Sequence, residues 1–364
     1  MSFNEKREVR AADQCLSRMA EMLSNWYHAN HRDLPWRHTK DPYAIWISEI
    51  MAQQTRISAL LPYYERFMIR FPDIRSLAKA SMDDVLLVWA GLGYYKRAHN
   101  LHMSAKRMVE EYAGIFPRDV SVLQSFPGIG EYTAGAIASI CYGLPTAAVD
   151  GNVKRVYARL LAVDDEVNSK NMLTKSKQFV ASLMPYAEPS VLTQSLMELG
   201  ALVCSPKRPK CQVCPFEKDC KAHDTGQEET WPVKLKKPTQ KTKYWTVLVI
   251  INSTGDILLR KRSETLLQGL YQYVLCDGKL SDNEVMSTLE TSGFTVNSMK
   301  PLGKSRHLFT HLIWEMVGYV CYVDHAEEHS LCPEYSYYSR AQWEGLAFPT
   351  ALAYYNRQIS QFLE

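Results

Sequence analysis

Four cysteines, Cys204, Cys211, Cys214 and Cys220, stand in the spacing C-x6-C-x2-C-x5-C. Each successive thiolate closes only a short loop, so gathering all four around one centre costs little chain entropy. Four thiolates suit tetrahedral zinc or a [4Fe–4S] cluster. Zinc ribbons more often use two close C-x2-C pairs, so the single x2 gap favours iron–sulfur. Lys207, Arg208, Lys210, Lys218 and Lys221 surround the quartet. They are either a solvated charged loop or cations offered to nucleic-acid phosphates. The other cysteines, Cys15, Cys141, Cys276, Cys321 and Cys332, are scattered. That is poor spacing for a disulfide framework and points to a reducing cytosol.

Two carboxylates and a turn are the other candidates. Phe126-Pro127-Gly128-Ile129-Gly130-Glu131-Tyr132-Thr133-Ala134 lies between two helical segments. Pro-Gly-x-Gly makes a tight turn at a helix N-terminus, whose N–H groups and positive dipole end suit a phosphate; an ordinary helix–helix turn reads the same way. Asp150 follows Gly130 by 20 residues and precedes the apolar periodicity of Val153, Val156 and Leu160. It is a helix N-cap, or a carboxylate held near a phosphate-binding turn. Glu49 has Ile45, Trp46, Ala52 and Gln53 at helical spacing. A largely apolar surround would raise its pKa and keep it protonated; the alternative is one more helix-surface glutamate.

The elements that must position these groups are helical up to about residue 222. Breaks fall at Arg32–Pro35, Phe71–Asp73, Gly91–Gly93, Phe116–Arg118, Pro127–Gly130 and Tyr142–Pro145. Asp41-Pro42 reads as an N-cap followed by proline at the first helical position, opening a helix through Tyr43, Trp46, Ile47, Ile50 and Met51. From 223 to 243 the composition turns polar and then basic, with Lys234-Leu235-Lys236-Lys237-Pro238, which predicts a linker. Beyond Tyr244 the pattern is β. Trp245–Ile251 and Ile257–Arg260 flank the turn Asn252–Asp256, and further strand character lies near His311–Tyr322. An α+β domain closes the chain. The 364 residues are 46% hydrophobic and 22% charged with net charge +3, so any nucleic-acid surface must come from local clustering. The polar segment Met1–Arg7 carries no signal-peptide character, and no apolar run approaches the roughly 18 residues of a membrane span. The expected compartment is the cytoplasm.

The turn, the downstream aspartate and the cysteine loop, in this order, resemble the endonuclease III superfamily of DNA glycosylases over roughly residues 20–222. Leu34-Pro35-Trp36-Arg37, Trp46–Thr55 and Gly91-Leu92-Gly93-Tyr94-Tyr95 narrow the resemblance to the adenine DNA glycosylases of the MutY branch. It implies an α-helical catalytic region over 1–222. A helix-hairpin-helix subdomain would occupy about 34–139, and a cluster-bearing subdomain 1–33 and 140–222. A linker over 223–243 and an α+β Nudix-like domain over 244–364 complete the chain. The resemblance makes Cys204, Cys211, Cys214 and Cys220 ligands of a [4Fe–4S] cluster. Glu49 then protonates N7 of adenine, Asp150 stabilises the sugar cation or attacks it transiently, and Tyr132 and Asn152 position the centre. Bifunctional relatives carry a Schiff-base lysine where this chain has Tyr132, which predicts glycosidic cleavage without strong lyase chemistry. Gln54 and Tyr94 would fill or wedge the opened DNA step, Thr55 and Leu92 would also bind DNA, and Gly128 and Gly130 would face phosphates.

In the Nudix-like segment the acids Asp277, Asp282, Glu284 and Glu290 are scattered, without the clustered glutamates that bind metal for triphosphate hydrolysis. The branch uses this domain to recognise 8-oxoguanine. Its Phe-Ser-His motif falls on Phe309-Thr310-His311, with His307 just before. Serine is replaced by threonine, and Tyr271-Gln272-Tyr273-Val274 departs from the usual Trp-Glu-Phe-Pro. The implied partner is double-stranded DNA with adenine opposite 8-oxoguanine or guanine, bound by a monomer. Two other readings remain: a cluster-bearing DNA sensor without catalysis, and a pyrimidine glycosylase/lyase.

Overall fold

Asp41 starts the helix that carries Glu49. It takes extended backbone and accepts hydrogen bonds from the N–H groups of Tyr43 and Ala44, and Pro42 fills the first helical position, where no donor is needed. The helix Pro42–Ala52 is buried from Tyr43 to Met51. A helix that is apolar all round belongs in a core, so its one acid is carried inside with it. The structure, a computed structural model, describes residues 3–235, 239–324 and 334–362, the side chains of 3–9 and 362 excepted. Lys236, Lys237 and Pro238 of the basic stretch, and Cys332, lie outside the described residues.

Two compact units form. The first comprises Met1–Ile57, Asp73–Arg75 and Met103–Lys236; the second comprises Ser58–Pro72, Ser76–His102 and Lys237–Glu364. At the centre of the first is the helix Pro189–Leu202, buried through Leu192–Gly200. It packs against the helices Phe3–Asn30, Glu131–Tyr142 and Gly151–Leu161, and Pro42–Ala52 packs on Glu131–Tyr142. Among the described residues no helix is long and apolar enough to cross a membrane.

The second unit holds a seven-stranded mixed sheet: β1 (Lys241–Ile251), β2 (Ile257–Lys261), β3 (Tyr271–Gln272), β4 (Val274–Asp277), β5 (Val296–Leu308), β6 (Leu312–Val323) and β7 (Tyr335–Tyr338). Its main path is β3-β2-β1-β6-β5; β4 also pairs with β1, and β7 with β2. β1 runs parallel to β6 along its whole length, from Lys241 opposite Leu312 to Ile251 opposite Tyr322. Val247, Val249 and Ile251 join Trp314, Met316 and Tyr355 in one core, while Leu248 and Ile250 join Val285, Leu289 and Phe294 in another. Both faces are covered at its C-terminal half, which is why Val247–Ile251 is a continuous apolar run and not an alternating one. The same unit contains the helix Met82–Trp89, where Phe67 meets the edges of Phe71 and Trp89 with ring centroids 5.0 and 6.0 Å apart.

Three expectations change. β1 begins at Lys241, inside the stretch expected to be linker. Residues before it are also tied down: Val233 pairs with Glu166, Trp231 Nε1 donates to Asp164 at 2.9 Å, and His223 bonds Glu228. Polar residues there find partners in the first unit, which composition alone does not reveal. The third change concerns His307 and His311, whose plainer reading is a pair of strand histidines: His307 lies on β5, but His311 lies in the connection between β5 and β6.

Candidate active site and cysteine centre

Glu49 is 8% exposed. Tyr132, from the helix Glu131–Tyr142, donates its hydroxyl to Glu49 Oε2 at 2.5 Å. Burial pushes the Glu49 carboxyl up from its ordinary value and Asp150 adds to the rise, while the Tyr132 hydrogen bond and the charge of Arg37 oppose it. Tyr132 is itself driven well above the usual phenol value by burial and by both carboxylates, so it stays an O–H donor.

Asp150 caps the helix Gly151–Leu161. Its Oδ1 accepts the Val153 N–H at 2.8 Å and its Oδ2 accepts the Asn152 amide at 2.7 Å. Its side chain is partly accessible, but the protein around it is dense enough to raise its pKa. The Val153 and Asn152 donors and the charge of Arg155 act the other way. Asp150 is therefore a helix cap, and capping supplies fixed donors that favour its ionised form.

Arg155 extends this arrangement. Its guanidinium donates to Asn152 Oδ1 at 2.8 Å, to Gly200 O at 2.7 Å and to Cys204 O at 2.7 Å. Gly200 lies so close that a Cβ there would stand 2.6 Å from Asn152 Cβ and 3.0 Å from its Cα and O. On the other side, Glu198, 0% exposed, binds Arg32 at 2.7 Å and Arg37 at 3.0 Å. Burial pushes Glu198 up, but those two arginines outweigh it and hold it below its ordinary value. Arg155, Gly200 and Glu198 carried no signal in the sequence; an arginine or glycine on a helix has no motif of its own.

The remaining residues of the first unit sit where helices end. Gln54, exposed with φ of 60°, and half-buried Thr55 follow the Glu49 helix. Gly128, φ 80°, and Gly130 are exposed in the turn, and Gly130 caps the helix Glu131–Tyr142, whose first N–H groups have no intrahelical acceptor.

The second unit brings others together. Leu92 and Tyr94 lie in a turn with positive φ at Gly91, Gly93 and Tyr94. Trp89 Nε1 and Arg97 both donate to Gly93 O, at 3.0 and 3.1 Å, and fix it. Tyr94 is 46% exposed, and its hydroxyl meets Thr310 Oγ1 at 3.0 Å. Phe309, Thr310 and His311 form the tight connection between β5 and β6, closed by Phe309 N–H on Leu312 O at 2.8 Å. His307, half-buried, and Trp314, buried, meet the Phe309 ring edge to face, while Thr310 and His311 are exposed. Gln240 donates to Phe309 O at 2.6 Å, a support not foreseen.

Cys204, Cys211, Cys214 and Cys220 line one cavity, with Arg159, Glu217, His223 and Glu228. Cys204 follows the helix Pro189–Leu202, Cys211 opens a 3-10 turn and Cys220 caps the short helix Lys221–Asp224. Arg159, 2% exposed, staples the loop through Ser205 O, Pro206 O and Trp231 O and points an N–H at Cys204 Sγ, 3.5 Å away. Lys207, Arg208, Lys210, Lys218 and Lys221 are all exposed.

Comparison with known proteins bears on this geometry. Residues 47–182 match the HhH-GPD superfamily of base excision DNA repair proteins, and residues 246–357 match the NUDIX domain. An adenine DNA glycosylase of Buchnera aphidicola from Acyrthosiphon pisum is 35% identical over 297 residues, 81% of this chain and 83% of that protein. This chain belongs to the adenine DNA glycosylase family. A human member is 42% identical over 216 residues, covering 57% of this chain and 40% of the human protein. A solved thermostable thymine-DNA glycosylase superposes with a TM-score of 0.52 at 26% identity, covering 61% of this chain and 98% of its own. The adenine glycosylase family thus accounts for both parts of the fold, a helical HhH-GPD region and a sheet-containing Nudix-like domain.

Proposed function

We propose that the chain is a monofunctional glycosylase that flips out and excises adenine mispaired with 8-oxoguanine, and more weakly with guanine. The observation that carries the reading is the unlike company of two carboxylates, Glu49 buried and Asp150 partly accessible. Glu49 accepts one hydroxyl, whereas Asp150 accepts a backbone N–H and a side-chain amide. In this assignment Glu49 keeps its proton and delivers it to adenine N7. The C1′–N9 bond breaks with its electron pair leaving on the base. Asp150 meets the sugar cation as a carboxylate or as a transient nucleophile, and water completes the abasic product. Tyr132 and Asn152 hold the two carboxylates in place. Gln54 and Tyr94 fill or wedge the opened step, Thr55 and the turn around buried Leu92 bind DNA, Gly128 and Gly130 bind phosphates, and His307, Phe309, Thr310 and His311 read the opposing base.

The cysteine centre fits a [4Fe–4S] cluster better than one zinc ion. A single tetrahedral zinc needs sulfurs about 3.8 Å apart. Here the group of potential ligands within 4.8 Å of one another, among the described residues, is Cys211, His223 and Glu228, not a trio of cysteines. Cys204, Cys211, Cys214 and Cys220 would hold the cluster, which when bound cross-links the loop at four points. We assign the enzyme to the cytoplasm and take it as a monomer.

The test is single-turnover excision on duplexes with adenine opposite 8-oxoguanine, guanine or cytosine. Adenine should be released fastest opposite 8-oxoguanine, with strand breaks only after alkali and little borohydride-trapped adduct. A DNA sensor would leave every adenine in place, and a lyase would trap efficiently.

A further inference from the structure

We propose that Glu228 is a reserve iron ligand at the Cys211 corner of the cysteine cavity, positioned by His223. The inference rests on the cluster reading above. Cys211 Sγ lies 3.6 Å from Glu228 Oε1, and His223 Nδ1 bonds the same oxygen at 2.6 Å. The three ligand atoms lie within 4.8 Å of one another and line the cavity with the other cysteines. Glu228 opens the 3-10 turn Glu228–Thr230, in the stretch whose composition reads as a solvated linker. Its carboxylate faces a cysteine that would bind iron as a thiolate, and the His223 ring holds it there through the same oxygen.

Carboxylate oxygen is a competent iron ligand and carries the same single negative charge as a thiolate, so the exchange leaves the charge of the ligand set unchanged. In the exchange the iron–sulfur bond to Cys211 breaks with its electron pair on sulfur, and a carboxylate lone pair makes the iron–oxygen bond. No electron is gained or lost. The Cys204 corner differs: Cys204 faces the guanidinium of Arg159, which has no lone pair for a metal.

Full-length chains carrying Cys211→Ala, Cys214→Ala, Cys211→Ala/Glu228→Gln and Cys211→Ala/Glu217→Gln are purified anaerobically. Iron content and visible absorbance are measured, with circular dichroism to report the fold. Cys211→Ala should keep about four irons and absorbance at roughly 400 nm. Adding Glu228→Gln should abolish both, and adding Glu217→Gln should not. Cys214→Ala should lose its cluster. Cys211→Gly repeats the test with a second substitution. Loss of iron in both Cys211 variants, folded or not, overturns the proposal, as does retention in Cys211→Ala/Glu228→Gln. Wild-type chain without iron would instead overturn the cluster reading itself.

Discussion

Glu49 and Asp150 are both pushed up by burial, and what distinguishes them is the number and kind of donors they face. Glu49→Gln and Asp150→Asn keep shape while removing the transferable proton or the charge. Each should cut single-turnover excision by at least about 100-fold, because general acid and electrostatic roles are of that size. Binding to mispaired DNA, measured by gel shift, should survive. A variant within about tenfold of wild type would leave the mechanism. The raised Glu49 pKa also makes a stability prediction. The folded chain holds that proton over a range where the unfolded chain, with a pKa near ~4.3, has lost it. The stability it contributes is therefore full below the unfolded value and is lost as pH rises through the folded one. Glu49→Gln removes this loss, so its Tm relative to wild type should rise as pH is raised from about 5 to about 8. A difference that stays flat with pH would mean Glu49 is not held protonated by the fold.

Helices hold the candidate site, and Gly200 lets Pro189–Leu202 come close to Gly151–Leu161. Gly200→Ala would force Asn152 backbone and side chain to move together, and Asn152 holds Asp150. Excision should fall by up to about 100-fold while helical circular dichroism is retained, since a misplacement near 1 Å costs that much. Near-wild-type excision in Gly200→Ala would show that Asn152 has room to yield. How much was legible in the sequence differs between elements for physical reasons. The Glu49 helix was readable because Asp41-Pro42 and the apolar periodicity are local signals. β5 was not, because its exposed residues, Lys300, Pro301, Lys304 and Arg306 among them, read as loop. It is the edge strand of the path, with register breaks at Val296/Ser298 and Pro301/Gly303, where proline and lysine protect an edge and erase the alternation. The parallel pairing of β1 with β6 was equally hidden, since partners about 70 residues apart leave no short-range trace. Asp150 was legible as a cap, whereas its bond to Asn152 and the Arg155 contacts depend on packing that no spacing encodes.

At the scale of the whole molecule, the residues assigned to adenine and those assigned to its partner base fall in different units. Glu49, Tyr132, Asp150 and Asn152 belong to the first; Leu92, Tyr94, His307, Phe309, Thr310 and His311 belong to the second. That second unit joins the helical segments Ser58–Pro72 and Ser76–His102 to the sheet. Gly269 there is close enough that a Cβ would stand 2.9 Å from Leu86, and His99 Nε2 bonds Gln268 O at 3.1 Å. Cutting away the residues after 236 would strip those helices of their neighbours, so lesion preference is better tested by point substitution. Thr310 is exposed at the β5–β6 turn, with its hydroxyl on Tyr94. Thr310→Ala and His311→Ala remove hydrogen-bonding groups worth ~1–3 kcal/mol each where they meet a lesion, roughly a five- to 150-fold effect. Each should lower the excision rate for adenine opposite 8-oxoguanine towards that for adenine opposite guanine, leaving the latter within about threefold of wild type, because the carboxylates belong to the other unit. The decisive quantity is the ratio of the two rates. A ratio that survives both substitutions unchanged would take lesion recognition away from the β5–β6 turn, while an equal fall in both rates would mean the turn supports the fold and not the choice of partner base.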